Sequence, residues 1–124
     1  MRTIIFRGKC IQSNDWVSGD LIHGVGSKKG EMFILPNRVN LAYVKHCDPI
    51  DGVKVRPETI GQFTGLSDKN GKQIFEGDLL KAGVYKEYEV KFDIYNCEYN
   101  IASFGCSNAE IVGTIFDNAE TPVS

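Results

Sequence analysis

Hydrophobic residues along this chain fall in short runs separated by turn-forming residues, which is the pattern of an antiparallel β protein. Near the start, apolar residues at 4–6, 16–17 and 21–22 surround the polar segment Ser-Asn-Asp at 13–15. Asn and Asp favour turns because their side chains bond to nearby backbone groups and tolerate left-handed conformations. This pattern predicts a β-hairpin followed by a further strand.

The alternation of turn and strand continues towards the middle of the chain. Residues 24–30 contain three glycines and two lysines, which predicts an exposed loop. The strand predicted at 32–34 ends at Pro36, because proline cannot donate a ladder hydrogen bond. Residues 38–46 favour a strand, and a short helix stays open as the alternative. The segment 48–52 contains Pro and Gly and predicts a loop that divides the chain into two halves.

The second half opens with strong hairpin signals. Residues 59–66 are rich in β-forming side chains and predict a strand. Asn70 and Gly71 are the dipeptide of a two-residue type I′ turn, so the strands on either side of them should pair. A second tight turn is predicted at 76–78, where Glu-Gly-Asp leads into the next strand. Gly-Asp also precedes an apolar pair at 19–22, which indicates either duplicated half-domains or the ordinary use of this dipeptide in turns.

A longer alternation runs from 84 to 94 and predicts one half-buried antiparallel strand, because successive side chains of a strand point to opposite faces. The predicted inward residues are Val84, Tyr88, Val90, Phe92 and Ile94, and the outward residues are Tyr85, Glu87, Glu89, Lys91 and Asp93. A turn at 93–97 then returns the chain, with Tyr99 and Ile101 on the inward face. A polar loop at 103–109 and a last strand at 111–116 complete the predicted elements.

Length and composition are those of one soluble globular domain, with 124 residues, 42% hydrophobic and 24% charged. The net charge of -2 gives no overall attraction to nucleic acid, although 14 lysines and arginines leave room for a local basic face. The four cysteines, Cys10, Cys47, Cys97 and Cys106, contain no C-x-x-C pair and are expected to be reduced. The first residues contain no apolar run long enough for a signal peptide, so we expect a cytoplasmic protein without membrane contact.

Four motifs of the chain resemble the YopX-like proteins of bacteriophages and prophages. They are Phe-Arg-Gly-Lys at 6–9, Trp-Val-x-Gly-Asp-Leu at 16–21, the long Pro-Glu-Thr segment at 57–78 and Gly-Thr-Ile-Phe-Asp-Asn at 113–118. The resemblance spans nearly the whole chain, whereas residues 24–56 and 81–109 carry little of the pattern. It implies ancestry and fold and assigns no activity.

The resemblance and the layout of the strands together predict an all-β fold. We expect an SH3-like barrel of short antiparallel strands in the C-terminal half, where closure would remove exposed strand edges. A smaller β-rich part is expected before it. The chain is thus predicted to be a single YopX-like domain, 1–124, with sub-parts 1–56 and 57–118 and a tail at 119–124, in the cytoplasm of a phage host.

Candidate catalytic chemistry is sparse. The His-Cys-Asp run at 46–48 has no second cluster at metal-ligand spacing. Glu58, Glu76 and Asp78 have the oxygen ligands that magnesium takes, but the simpler interpretation is that they bond backbone amides of their own turns. No P-loop, nucleophile elbow or dinucleotide-binding motif occurs. We therefore predict no catalytic residues, no cofactor, no metal site and no enzymatic activity.

Aromatic and basic side chains provide the candidates for a binding surface, since SH3-like folds bind peptides and single-stranded nucleic acids. The candidate partner-binding residues are Tyr85, Tyr95, Trp16, Lys81 and Lys86. The first hypothesis is a non-enzymatic binding module that acts on a host or phage protein. The alternatives are a nucleic-acid-binding accessory protein, which would also use Lys28, Lys29, Lys69 and Lys72, and a metal-dependent enzyme. Self-association into a homo-oligomer stays open.

Overall fold

The computed structural model describes residues 4–36, 47–48, 52–83, 86–101 and 108–117. Within these residues the chain consists of antiparallel strands and two three-residue 3-10 turns, so the mainly β fold is confirmed. The chain divides into two compact units between Gln62 and Phe63, inside the Pro-Glu-Thr segment. The predicted strand at 38–46 and residues 103–107 of the predicted loop lie outside the described residues, whereas Ala109, predicted to end that loop, is buried and begins the last strand.

The described strands of the N-terminal unit are β1 (Phe6–Lys9), β2 (Trp16–His23), β3 (Met32–Pro36), β4 (Cys47–Asp48), β5 (Gly52–Val55) and the start of β6 (Gly61–Ser67). They form one antiparallel sheet with the strand order β4-β5-β3-β2-β1-β6, of which β6 continues into the second unit. The strand predicted at 21–22 is the end of β2, so the predicted hairpin partner and the further strand are one element. The strand ending at Pro36 is confirmed.

One face of this sheet forms the core of the N-terminal unit. Its buried residues are Cys10, Ile34, Val53 and Val55, with Phe6, Val17, Leu21, Met32 and Ile60 packed against them. The sheet curls, because Cys10 at the end of β1 pairs with Val55 at the end of β5. The Arg56 amide donates to the Lys9 carbonyl at 2.9 Å, and the Lys9 amide donates to Thr59 Oγ1 at 2.9 Å.

The C-terminal unit contains the rest of β6 and six further strands. They are β7 (Gln73–Phe75), β8 (Asp78–Ala82), β9 (Tyr88–Glu89), β10 (Phe92–Asp93), β11 (Glu98–Tyr99) and β12 (Ala109–Thr114). Strand β6 pairs with β7, β12-β8-β9 form one sheet and β10-β11 another. The core contains Ile74, Leu80, Val90, Ile101 and Ala109. Among the described residues these strands do not close into a barrel, and the SH3-like barrel stays a prediction.

The hairpin predicted around Asn70 and Gly71 is present, but its turn is not type I′. Gly71 has φ +83°, whereas Asn70 does not have the positive φ that type I′ requires. The Gly71 amide donates to the Asp68 carbonyl at 3.0 Å, which is a type I turn followed by a left-handed glycine. The Asp68 carboxylate selects this turn, because its Oδ1 accepts from the Asn70 and Lys72 amides at 2.8 and 2.9 Å.

The long strand predicted over 84–94 is wrong in its second half. Val90 is buried as predicted, with 1% of its surface exposed, but Phe92 is 44% and Ile94 71% exposed. The chain changes partners here, since β9 pairs with β8 whereas β10 pairs with β11. Residues 84–85 lie outside the described part.

The side chain of Asn100 explains this change of partner. Its Oδ1 accepts from the Lys91 amide at 2.9 Å, and its Nδ2 donates to the Glu89 carbonyl at 2.8 Å. The Asn100 amide also donates to the Lys91 carbonyl at 3.0 Å. An amide side chain thus satisfies backbone groups that a sheet neighbour would otherwise pair, so the chain leaves the sheet of β8 without orphaned polar groups.

Candidate functional site

The most exposed aromatic side chain of the described residues lies at the tip of the β10–β11 hairpin (residues 92–99). Tyr95 is 91% exposed there, next to the exposed Ile94 and three residues beyond the half-exposed Phe92. Apolar side chains are normally buried, and scattered exposed ones need no explanation. Here they lie within four consecutive residues of a single hairpin, which makes this tip the strongest candidate for a contact surface.

Asp93 orders the turn that carries these side chains. Its Oδ1 accepts from the Tyr95 amide at 2.9 Å and from the Asn96 amide at 3.3 Å, and its Oδ2 accepts from Asn96 Nδ2 at 2.8 Å. These bonds hold the pKa of the Asp93 carboxyl below its ordinary value, the Tyr95 amide contributing most. Cys97 completes the turn with φ +54°, and its Sγ lies 3.8 Å from the Ile94 carbonyl oxygen.

The base of the hairpin is attached to the core of the C-terminal unit through Tyr99. The rings of Phe92 and Tyr99 meet edge to face, with centroids 5.2 Å apart and planes at 82°. Tyr99 also packs against the core cluster, and its hydroxyl donates to Glu76 Oε2 at 3.5 Å. An isolated two-stranded hairpin is at best marginally stable in water, so this attachment is what keeps the tip ordered.

The predicted partner-binding residues lie at separate places. Tyr95 is at the hairpin tip, Lys81 is exposed on β8 and Lys86 is exposed before β9, all in the C-terminal unit. Lys81 lies directly opposite Glu110 of β12 in the ladder. Tyr85 lies outside the described residues.

Trp16 belongs to the N-terminal unit, where two cations of β1 contact its ring. The Arg7 guanidinium carbon lies 4.2 Å and the Lys9 ammonium 4.9 Å from the ring centroid. Lys9 is also the direct partner of Trp16 in the β1–β2 ladder. Cation–π contacts of this kind contribute about 0.5–2 kcal/mol each, so Trp16 has a role in holding β1 to β2.

Two residues of the tip, Phe92 and Ile94, were predicted to face inward. The local pattern that indicates their exposure is Asp93 followed three residues later by Asn96. An Asp side chain that bonds the backbone amide two residues further on starts a turn. Such a turn places Ile94 and Tyr95 at its two central positions. The turn predicted at 93–97 is therefore confirmed, but the apolar alternation was extended into it, which wrongly placed Phe92 and Ile94 on the inward face.

The carboxylates considered for magnesium are placed as follows. Asp78 Oδ2 accepts from the Phe75 amide at 2.8 Å, as predicted for its turn. Glu76 accepts instead from the Tyr99 hydroxyl, and Glu58 is exposed in the 3-10 turn Pro57–Thr59. The side chains at 46–48 lie outside the described residues. Among the residues that are described, no group of three or more His, Cys, Asp or Glu is arranged to hold a metal ion.

Comparison of the sequence with protein families gives a match over residues 5–121 to the family described as YopX protein. The chain belongs to the YopX family. A comparison with curated proteins gives no match. The first three YopX motifs of the sequence lie in the structure at β1, at the first part of β2, and from the 3-10 turn Pro57–Thr59 to the start of β8. The described residues of the fourth, 113–117, form the end of β12 and the turn that follows it. The hairpin tip lies outside all four motifs of this YopX protein.

Asp117 forms the turn in the last YopX motif. Its Oδ2 accepts from the Thr114 amide at 2.9 Å, and the Ile115 amide donates to the Gly77 carbonyl at 2.9 Å. The motif therefore ties the end of β12 to the Glu-Gly-Asp turn before β8. Within the described part of the chain, no helix is long and apolar enough to cross a membrane.

Proposed function

We propose that this protein is a small non-enzymatic binding module whose contact element is the β10–β11 hairpin. The observation that supports the proposal is a turn that is fixed by side-chain hydrogen bonds and yet presents Ile94 and Tyr95 to solvent. An ordered tip loses little conformational entropy when a partner binds it, which leaves more of the contact energy for affinity. Tyrosine is among the residue types that dominate binding energy at interfaces.

Membership of the YopX family favours a protein that is encoded by a phage or prophage. Its proposed place of action is the host cytoplasm, and its proposed partner is a host or phage protein. An SH3-like closure of the C-terminal strands is part of this proposal, and the short antiparallel strands and tight turns of that unit support it. Folds of this size host unrelated functions, so the hairpin tip and not the fold carries the functional argument.

Protein binding is favoured over nucleic-acid binding by the surroundings of the lysines. Lys69 Nζ lies 3.5 Å from Glu110 Oε1, and Lys81 is opposite the same glutamate in the ladder. The Lys28 ammonium lies 5.6 Å from the centre of the Phe33 ring. Lysines interleaved with carboxylates give a weak field for phosphates. We expect affinity for single-stranded DNA to be negligible at about 0.15 M salt, as a fluorescence-anisotropy titration would measure.

The double variant Ile94→Ala/Tyr95→Ala is expected to lose the partner. Tagged wild-type protein should retain a near-stoichiometric, nuclease-resistant protein from host lysate, and the variant should retain about 30-fold less, because truncation of an interface anchor costs about 2 kcal/mol. The matched control is Val112→Ala/Ile115→Ala, which removes two exposed apolar side chains of the same unit outside the hairpin. Retention of the same partner by the hairpin variant would refute the proposal.

A further inference from the structure

Two acidic residues occupy opposite positions of the hairpin ladder, directly before and after its turn. Asp93 of β10 and Glu98 of β11 are direct partners in the antiparallel ladder. Like charges directly opposite each other destabilise a strand pair. The β10–β11 hairpin carries this pair of like charges although it has only two paired residues on each strand.

No basic residue lies within the hairpin to offset these charges. Residues 92–99 contain Asp93 and Glu98 and neither lysine nor arginine, which gives a formal charge of -2. The nearest lysine in sequence, Lys91, has its ammonium 3.8 Å from Glu89. The Asp93 carboxylate is held anionic by the amides that it caps. The hairpin thus presents exposed apolar side chains at its tip, and the residues next to the tip carry negative charge.

We propose that the partner of this hairpin is a protein whose contact site is an apolar pocket bordered by lysine or arginine side chains. The inference rests on the proposed function and specifies the chemistry of the partner. Ile94 and Tyr95 fill the pocket, and the basic border pairs with Asp93 and Glu98 and relieves their repulsion. Complementary charges around an apolar contact mainly accelerate association and exclude wrong partners.

The same charges argue against other occupants of the tip. Phosphates of a nucleic acid or of an anionic membrane would meet Asp93 and Glu98 with like charge. A tip-to-tip contact with a second copy of this chain would bring together two Asp93 and two Glu98 carboxylates with no cation between them. The geometry therefore favours a basic protein surface.

The first experiment locates the contact. The full chain carries p-benzoylphenylalanine at position 95, is irradiated in host cells, and the cross-linked peptide of the partner is sequenced by mass spectrometry. The control carries the same residue at position 112, an exposed site on β12. We expect a single partner that cross-links from position 95 and not from 112, through a segment rich in apolar and basic residues.

The second experiment tests the charges with the purified partner. Glu98→Gln should raise the dissociation constant about two- to fivefold, in the range of an exposed ion pair, while the melting temperature of the free protein stays the same or rises. The control Glu58→Gln neutralises an exposed carboxylate of the N-terminal unit and should leave binding unchanged. The association rate constant of the wild type should fall as salt is raised from about 0.05 to 0.5 M.

The outcomes separate the inference from the proposed function. If Ile94→Ala/Tyr95→Ala abolishes binding but neither Glu98→Gln nor salt changes it, the hairpin binds a partner and the basic border is refuted. Cross-linking from position 95 to a second copy of this chain or to nucleic acid also refutes the inference. Unchanged binding by the double alanine variant refutes the proposed function itself.

Discussion

Replacement of Gly19 by alanine is expected to lower the free energy of unfolding of the N-terminal unit by about 3 kcal/mol, the upper range for overpacking in a dense interior. A Cβ at Gly19 would lie 2.1 Å from the Leu35 carbonyl oxygen and 2.9 Å from the Pro36 Cα. Both are backbone atoms of β3, which pairs with β2 at this point. Side-chain rotation cannot relieve the clash, so the two strands must separate.

The measurement is urea unfolding followed by tryptophan fluorescence. Trp16 is the single tryptophan of the chain and lies on β2, so its emission reports the N-terminal unit. The control is Ser18→Ala, the preceding residue, which is exposed and should shift stability by no more than about 0.5 kcal/mol. Equal midpoints for the two variants would contradict the expectation.

Substitution of Asp68 by asparagine is expected to destabilise the C-terminal unit by about 2 kcal/mol, the cost of unsatisfied buried donors. Oδ1 of Asp68 accepts from the Asn70 and Lys72 amides, and Oδ2 accepts from the Ile111 amide at 3.0 Å. Asparagine has one acceptor oxygen, so its NH₂ group must face at least one of these amides donor to donor.

Hydrogen exchange of the Ile111 amide measures this effect at the site. Exchange through unfolding should accelerate about 30-fold in Asp68→Asn, the factor that corresponds to 2 kcal/mol. The control Asp20→Asn removes an exposed carboxylate from the N-terminal unit and should leave this amide unchanged. Protection of Ile111 equal to that of the wild type would show that asparagine finds an equivalent arrangement.

The Asp68 carboxylate also makes the free energy of unfolding depend on pH in the acidic range. Burial raises the pKa of Asp68, but hydrogen bonds from the Ile111, Lys72 and Asn70 amides and the charge of Lys72 outweigh it, so the pKa lies below its ordinary value of 3.8. The pKa of this carboxyl in the unfolded chain has its ordinary value of about 4, and the pKa in the folded protein is lower. The carboxylate therefore contributes its full stabilisation above about pH 4, and this contribution is lost as the pH falls through the pKa of the folded protein. Urea midpoints between about pH 5 and 2 should therefore fall less steeply for Asp68→Asn than for the wild type.

Local signals in the sequence predict most of the strands. Polar turns bounded by apolar runs indicate β1, β2, β3 and β12, because the pattern that specifies each of these strands lies within a few neighbouring residues. Asn70-Gly71 predicts the position of a hairpin correctly and its turn type incorrectly. The reason is that the Asp68 side chain bonds two amides of the turn, and a dipeptide rule does not contain that contribution.

The strand predicted over 84–94 failed because the decisive residue lies elsewhere in the sequence. The Asn100 side chain bonds the Lys91 amide and the Glu89 carbonyl where the chain leaves β8, and the apolar alternation of residues 84–94 contains no sign of these bonds. Tyr95 was predicted to be exposed and is, whereas Ile94 and Phe92 were assigned to the core. The sequence therefore identified one residue of the candidate site and misplaced its two apolar neighbours.

Identical dipeptides also have different structural roles. Gly19-Asp20 lies inside β2, where glycine permits the close approach of β3. Gly77-Asp78 forms a turn in which Gly77 has φ +91°, and a Cβ there would lie 2.8 Å from a carbon of the Phe116 ring. The similarity of the two segments therefore does not reflect a repeated turn.

The bonds of Asn100 separate the hairpin tip, which we propose as the contact element, from the residues that keep the protein folded. They end the pairing with β8 near Lys91, so the eight residues that follow form a separate hairpin that packs on the core through Tyr99. Ile94 and Tyr95 can then be exchanged for other side chains without opening a cavity in the core. Under the proposed function, substitutions confined to this short segment would change the binding target while the rest of the chain stays as it is.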